Sequence, residues 1–208
     1  MGRPANGSST SVDPTSGFEA SFSDCGGYRW WLKRRWADGQ RSLMFIGLNP
    51  STADASRNDP TLRRLIGFAQ RWGFAELVVL NLFARISPHP AVLRTVQDPI
   101  GEDNDAVLAA GFEHWSGDGS IDLWLGWGAK GALFQRSRSA RQILAPFCRQ
   151  RLLRFPAACG PLMLGLTRNA QPRHPLYAPR NGVLIPLVWA EACVIRHPEA
   201  RPPVFGSY

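Results

Sequence analysis

The stretch Ser42-Leu43-Met44-Phe45-Ile46-Gly47-Leu48-Asn49-Pro50-Ser51 joins an unbroken apolar run to a turn made of glycine, an amide and proline. An apolar run without alternation is what a strand covered on both faces requires, because neither side of it meets water. Three runs of the same kind follow, at Leu77–Leu80, Ile121–Leu125 and Pro161–Leu166. A last one, Gly182–Val188, suits an edge strand, where Pro186 removes no central ladder bond. Helical patterns lie between the runs. Asp59 is a good N-cap and Pro60 a good first helical residue, and Leu62, Leu65, Ile66, Ala69 and Trp72 then recur at helical spacing before Gly73. A second helix is predicted from Gly101 to Trp115, with an acidic first turn that suits the positive end of the helix dipole. A third falls within Ala129–Leu153. Strands alternating with helices imply right-handed crossovers, so the expected fold is α/β: a three-layer α/β/α sandwich whose central, mostly parallel sheet has about four strands.

Outward from this centre, Tyr28, Trp30, Leu32 and Trp36 alternate at period two, which reads as a further strand before the Asp38-Gly39 turn. Residues 1–24 are rich in Ser, Gly, Thr and Pro and are expected to form a flexible tail. Residues 25–208 then make a single domain. No apolar run approaches the roughly 18–20 residues of a membrane span, and the N-terminal stretch has no apolar signal core. Cys25, Cys148, Cys159 and Cys193 include no C-x-x-C pair, so they read as reduced thiols, not as a metal or disulfide framework. A cytoplasmic monomer that needs no metal and no organic cofactor is the expectation.

Charge is segregated along the chain. The net charge is +8, and 22 of the 24 basic residues are arginine. From Leu123 to Ala190 there are ten basic residues and no acid, whereas Thr95–Ala129 has seven acids and no Lys or Arg. Such a basic half is the electrostatic footprint of a nucleic-acid partner. A genome favouring arginine codons accounts for Arg over Lys but not for the missing acids.

In open parallel sheets the ligand lies at the carboxyl ends of the strands, so the residues just after each run matter most. The first run is followed by Gly47, Leu48, Asn49, Pro50, Ser51 and Asp54, and the second ends in Asn81. Lys130 follows the third run, and Arg168, Arg173, His174, Pro175, Leu176 and Tyr177 follow the fourth. No Ser-His-Asp order, P-loop, ligand cluster or dinucleotide fingerprint stands out. Two amides and a histidine do little nucleophilic chemistry, but they can read the edge of a base and orient a water. Each also has a plainer role: a loop cap for Asn49, a partner for buried backbone at Asn81, a surface position for His174. Asp54 and Asp59 compete for water activation, and Asp59 is better explained as the helix cap. Arg63 and Arg64, in the first turns after Pro60, suit either a phosphate or a solvated helix face. The Trp127-Gly128 pair reads as packing and close backbone approach.

The stretches Phe45–Asp54, Asn58–Arg64, Asp98–Asp105 and Arg173–Tyr177 resemble domain-of-unknown-function family 1643 over roughly residues 28–188. More distantly, Gly47-Leu48-Asn49-Pro50, Asn81 and His174-Pro175 resemble the uracil-DNA glycosylase superfamily. That superfamily has a water-activating loop after its first strand, an Asn that reads the base, and a His-Pro loop after its last strand. The first aromatic after the first loop, where those enzymes stack the base, is Phe68 here. The resemblance implies a glycosylase-like fold and an N-glycosylase that flips and excises a pyrimidine or modified pyrimidine from DNA. Asn49, His174 and Asp54 would then be catalytic. Gly47, Leu48, Pro50, Ser51, Asn81, Pro175, Leu176 and Tyr177 would hold the base or fill its vacated stack. Arg63, Arg64, Lys130, Arg168 and Arg173 would meet phosphates. A non-catalytic nucleic-acid-binding module and a hydrolase or transferase of free nucleotides are the alternatives.

Overall fold

The computed structural model describes residues 8–13, 17–51 and 57–188. In chain order the elements are β1 (Ser8–Asp13), β2 (Phe18–Ser23), β3 (Arg29–Arg35), β4 (Ser42–Gly47), α1 (Pro60–Arg71), β5 (Glu76–Asn81), α2 (Asn104–Gly117), β6 (Ile121–Leu125), α3 (Arg136–Arg154), β7 (Leu162–Met163) and β8 (Ile185–Pro186). They form one sheet in the order β1-β2-β3-β5-β4-β6-β7-β8. The pairings β5–β4, β4–β6 and β6–β7 are parallel. The pairings β1–β2, β2–β3, β3–β5 and β7–β8 are antiparallel.

The four apolar runs are the four parallel strands, so the expected count of about four describes only the centre of an eight-stranded sheet. The fourth run pairs over Leu162–Met163 alone. The largest correction is at the N-terminus. Phe18–Ser23 is a strand, so the tail expected over residues 1–24 does not extend to that boundary. Phe18, Ala20 and Phe22 alternate along it, Ala20 is fully buried in the core with Phe22 packed against it, and Lys33 on β3 is paired with Glu19 at 2.5 Å. Ladder bonds to β3 add to this packing, and the Ser, Gly, Thr and Pro around the short alternation hide it in the composition of the segment.

The unbroken apolar runs are explained by the layers. From β4, Leu43 and Phe45 pack toward α1 with Leu62, Leu65, Phe68 and Ala69. Met44 and Ile46 pack the other way, toward Leu108, Phe112 and Trp115 of α2 and Ala140, Leu144 and Cys148 of α3. Each such side chain contributes about 1.5–3 kcal/mol by leaving water. Helix α1 starts as its sequence predicts: Asp59 Oδ1 accepts the Leu62 amide at 2.7 Å and Pro60 occupies the first turn. None of the described helices is long and apolar enough to cross a membrane.

Several arginines lie inside the fold. Arg34, Arg136 and Arg151 are each at most 2 % exposed. Arg151 donates to the carbonyls of Trp115, Asp118, Ile121 and Cys159, tying α3 to the end of α2 and the start of β6. Arg136 donates to Leu82 O at 2.6 Å and pairs with Asp105. The acid-free half is therefore not wholly a surface charge: two of its ten basic side chains satisfy buried acceptors. What positions the site is the strand order. β5 lies on one side of β4 and β6 on the other, so the crossovers diverge and open a crevice at the carboxyl ends of β4 and β6.

Candidate functional site

That crevice is a cavity of about 610 Å³, within the roughly 300–1,000 Å³ typical of small-ligand sites. All four parallel strands feed it: Gly47, Leu48, Asn49 and Ser51 after β4, Asn81 at the end of β5, Lys130 after β6, and Arg173, His174, Leu176 and Tyr177 after β7. The floor is mostly apolar, with Phe45, Leu62, Leu65, Val79 and Trp127 all buried.

Asn49 holds its own loop. Its Nδ2 donates to Pro50 O and Ser87 O, both at 2.9 Å, which ties the segment after β4 to the segment after β5. Both donor hydrogens are thus engaged, and Oδ1 is the atom left to meet a ligand or water. Asn81 differs. It is 3 % exposed, and its Nδ2 is buried with no hydrogen-bond partner among the described residues. A buried donor left unmade costs about 1–3 kcal/mol, which a ligand or water meeting it would offset. Gly47 makes room for this amide: a Cβ there would stand 2.8 Å from Asn81 Oδ1. The end of β5 is fixed from behind by Asn104, whose Nδ2 donates to Asn81 O at 3.1 Å and Leu82 O at 2.9 Å.

His174 caps the short helical turn Pro175–Tyr177, its Nδ1 accepting the Leu176 amide at 3.3 Å. In the neutral ring the proton then sits on Nε2, leaving a donor for the cavity. Burial pushes the His174 pKa below the usual histidine value, and the Asp59 carboxylate pulls weakly the other way. The loop after β6 comes close because Gly128 adopts φ +74, and a Cβ there would lie 3.1 Å from His174 Cβ. Trp127 is fixed beneath by an Nε1 bond to Gln171 Oε1 at 2.9 Å.

A family model described as a protein of unknown function, DUF1643, matches residues 29–176. The chain belongs to that family. No curated protein and no solved structure matches it. The matched span contains every cavity-lining residue except Tyr177.

Other expected site residues lie elsewhere. Pro50 and Pro175 flank the lining without joining it. Arg63 donates to Asn58 O at 2.6 Å, and Arg64 donates to Ala178 O at 2.7 Å while stacking on Phe68. Both serve helix α1 and its surroundings, not the cavity. Arg168 is exposed and outside the lining. Phe68 is fully buried against Trp72 and Trp124, so it has no free face for a base. Asp54 lies outside the described residues. Among the ionisable wall groups, Arg29 was not expected and Asp59 was assigned to the helix cap alone. Arg29 is 4 % exposed on the floor, and its only sequence signal was a charge at the start of an alternating strand. Asp59 is both the α1 cap and a cavity residue, with Ser51 Oγ bonded to its Oδ2.

Proposed function

We propose that this cavity binds a nucleobase and that the protein hydrolyses an N-glycosidic bond, releasing a pyrimidine or modified pyrimidine from DNA. The observation that carries the reading is the buried, unpartnered amide of Asn81 in the same cavity as Asn49 and His174. A planar heterocycle with adjacent carbonyl and N–H groups is the ligand chemistry that an amide on an apolar floor recognises. The leaving base carries developing negative charge on its ring carbonyl. A neutral His174 donating from Nε2 meets that charge without a competing proton on Nδ1, a preorganised contribution often worth about 3–4 kcal/mol. Asn49 Oδ1 holds the attacking water. Lys130 and Arg173 at the cavity wall suit the flanking phosphates, and exposed Leu176 and Tyr177 suit the gap left by an extruded base. The resemblance of the Gly47–Pro50, Asn81 and His174-Pro175 segments to uracil-DNA glycosylases supports the same reaction.

A second reading, hydrolysis of a free nucleoside or nucleotide, is favoured by the size of the cavity and by the buried Arg29 cation on its floor. One experiment separates the readings. Oligonucleotides carrying uracil, mismatched thymine or bulky modified pyrimidines, and the matching free nucleosides and nucleotides, are incubated with the protein. Base release is read by chromatography and by alkaline cleavage of abasic strands. Release from oligonucleotides, lost in His174→Gln and altered in base preference in Asn81→Asp, is the expected result. Release from free nucleotides alone moves the substrate to the second reading. Salt-sensitive nucleic-acid binding with no release from any substrate makes the protein a binding module instead.

A further inference from the structure

The hydrolysis proposed above, on which this inference rests, leaves one proton without a destination. Water attacking the anomeric carbon must lose a proton, and an amide such as Asn49 can orient that water but cannot keep its proton. Asp59 is the only carboxylate among the described residues that line the cavity; the other ionisable side chains there are Arg29, Lys130, Arg173, His174 and Tyr177. Its two oxygens are held separately. Oδ1 accepts the Leu62 amide at 2.7 Å as the cap of α1, and Oδ2 accepts from Ser51 Oγ. The carboxylate is therefore anchored at the first turn of a helix, facing the same space as His174.

We propose that Asp59 is the proton acceptor for the attacking water, with Ser51 as the residue that positions its carboxylate. In the step, the water oxygen forms a bond to the anomeric carbon while the carbon–nitrogen bond of the glycoside breaks. The bonding pair leaves with the base, whose charge is met by His174 Nε2–H. The water proton passes to Asp59 and then to the base nitrogen, so the products are the free base and an abasic sugar, and Asp59 returns to its carboxylate form. One side chain thus serves as both helix cap and base. The cap explains why Asp59 is so firmly placed, and the cap alone does not require it to border a cavity.

The two roles separate in a single variant. Asparagine is as good an N-cap as aspartate, so Asp59→Asn keeps the Leu62 bond while removing the proton acceptor. The expected result is an unchanged thermal midpoint with base release slowed about 100-fold or more, in the range of a lost general base. Ser51→Ala should slow release by less. A second readout is the histidine titration followed by NMR. The His174 pKa should drop further in Asp59→Asn, because the neighbouring negative charge is gone. Full activity of Asp59→Asn overturns the role of Asp59 and leaves N-glycoside hydrolysis standing. Absence of base release by the wild type on every substrate overturns both.

Discussion

The two faces of the sheet are closed differently. Toward α2 and α3 the sheet side chains meet two helices, Phe112 and Trp115 are essentially fully buried, and Arg151 and Arg136 turn their guanidinium groups to backbone carbonyls near the ends of α2, β5 and β6. Toward α1 a single helix covers Leu43, Phe45 and Val79, and beyond its N-terminus the strand ends border open space. On the first face Arg136 and Arg151 reach their acceptors, and the Trp115 Nε1 that has no hydrogen-bond partner among the described residues is enclosed by packing. On the second, the amide of Asn81 has none for its Nδ2 among the described residues. A site lies where packing stops and a polar group is left waiting.

The sharpest way to break this comparison is at Arg151. Arg151→Met keeps apolar length but removes the guanidinium donor from four carbonyls, of which Asp118 O keeps its bond from the Ile121 amide, and a loss of about 3–5 kcal/mol is expected in denaturant unfolding at unchanged m-value. A loss below about 1 kcal/mol would show that α3 is held by apolar packing alone. Next in size is a contrast between two buried asparagines. Asn104→Ala removes two bonded donors and should cost about 1–3 kcal/mol, whereas Asn81→Ala removes an unpaired amide and should change stability by less than about 1 kcal/mol while abolishing ligand binding. Equal losses would mean that Asn81 is structural. The smallest effect concerns His174. Its folded pKa is lowered from the ordinary 6.5 by burial, so below about pH 6.5 the unfolded chain binds the extra proton first. Its contribution is complete above that pH and is lost as the pH falls toward the folded value. His174→Gln should therefore flatten the decline of thermal midpoint on mild acidification. A decline as steep as the wild type's would assign it to other groups.

Some of this was legible in residue identities. Gly47, Asn49, Asn81, Lys130 and His174 were chosen only because each follows an apolar run, and they border one cavity. The rule works because parallel strands begin and end together, so residues distant in sequence are brought to one edge. The arginines were harder to place. Arg63 and Arg64 looked like phosphate ligands from their position near a helix start, yet their guanidinium groups reach nearby carbonyls. A long cationic side chain has several acceptors within reach, and the sequence does not say which one it finds. Asp59 was legible as a cap, a role that depends on the next three residues. Its place on the cavity depends on β7 and the loop after it.

By itself the sequence determined the parallel centre, the limits of α1 and the set of strand-end residues. Unbroken apolar runs, caps and turns act over a few residues, and their free energies are large enough to be visible in composition. Only the tertiary structure decided that β1 and β2 extend the sheet, that Arg34, Arg136 and Arg151 belong inside, and that Arg29 and Asp59 border the cavity. Those outcomes rest on backbone carbonyls and amides, which every residue carries alike. Which of them is left without a partner, and so calls for a guanidinium, a strand or a ligand, emerges only once the chain has packed.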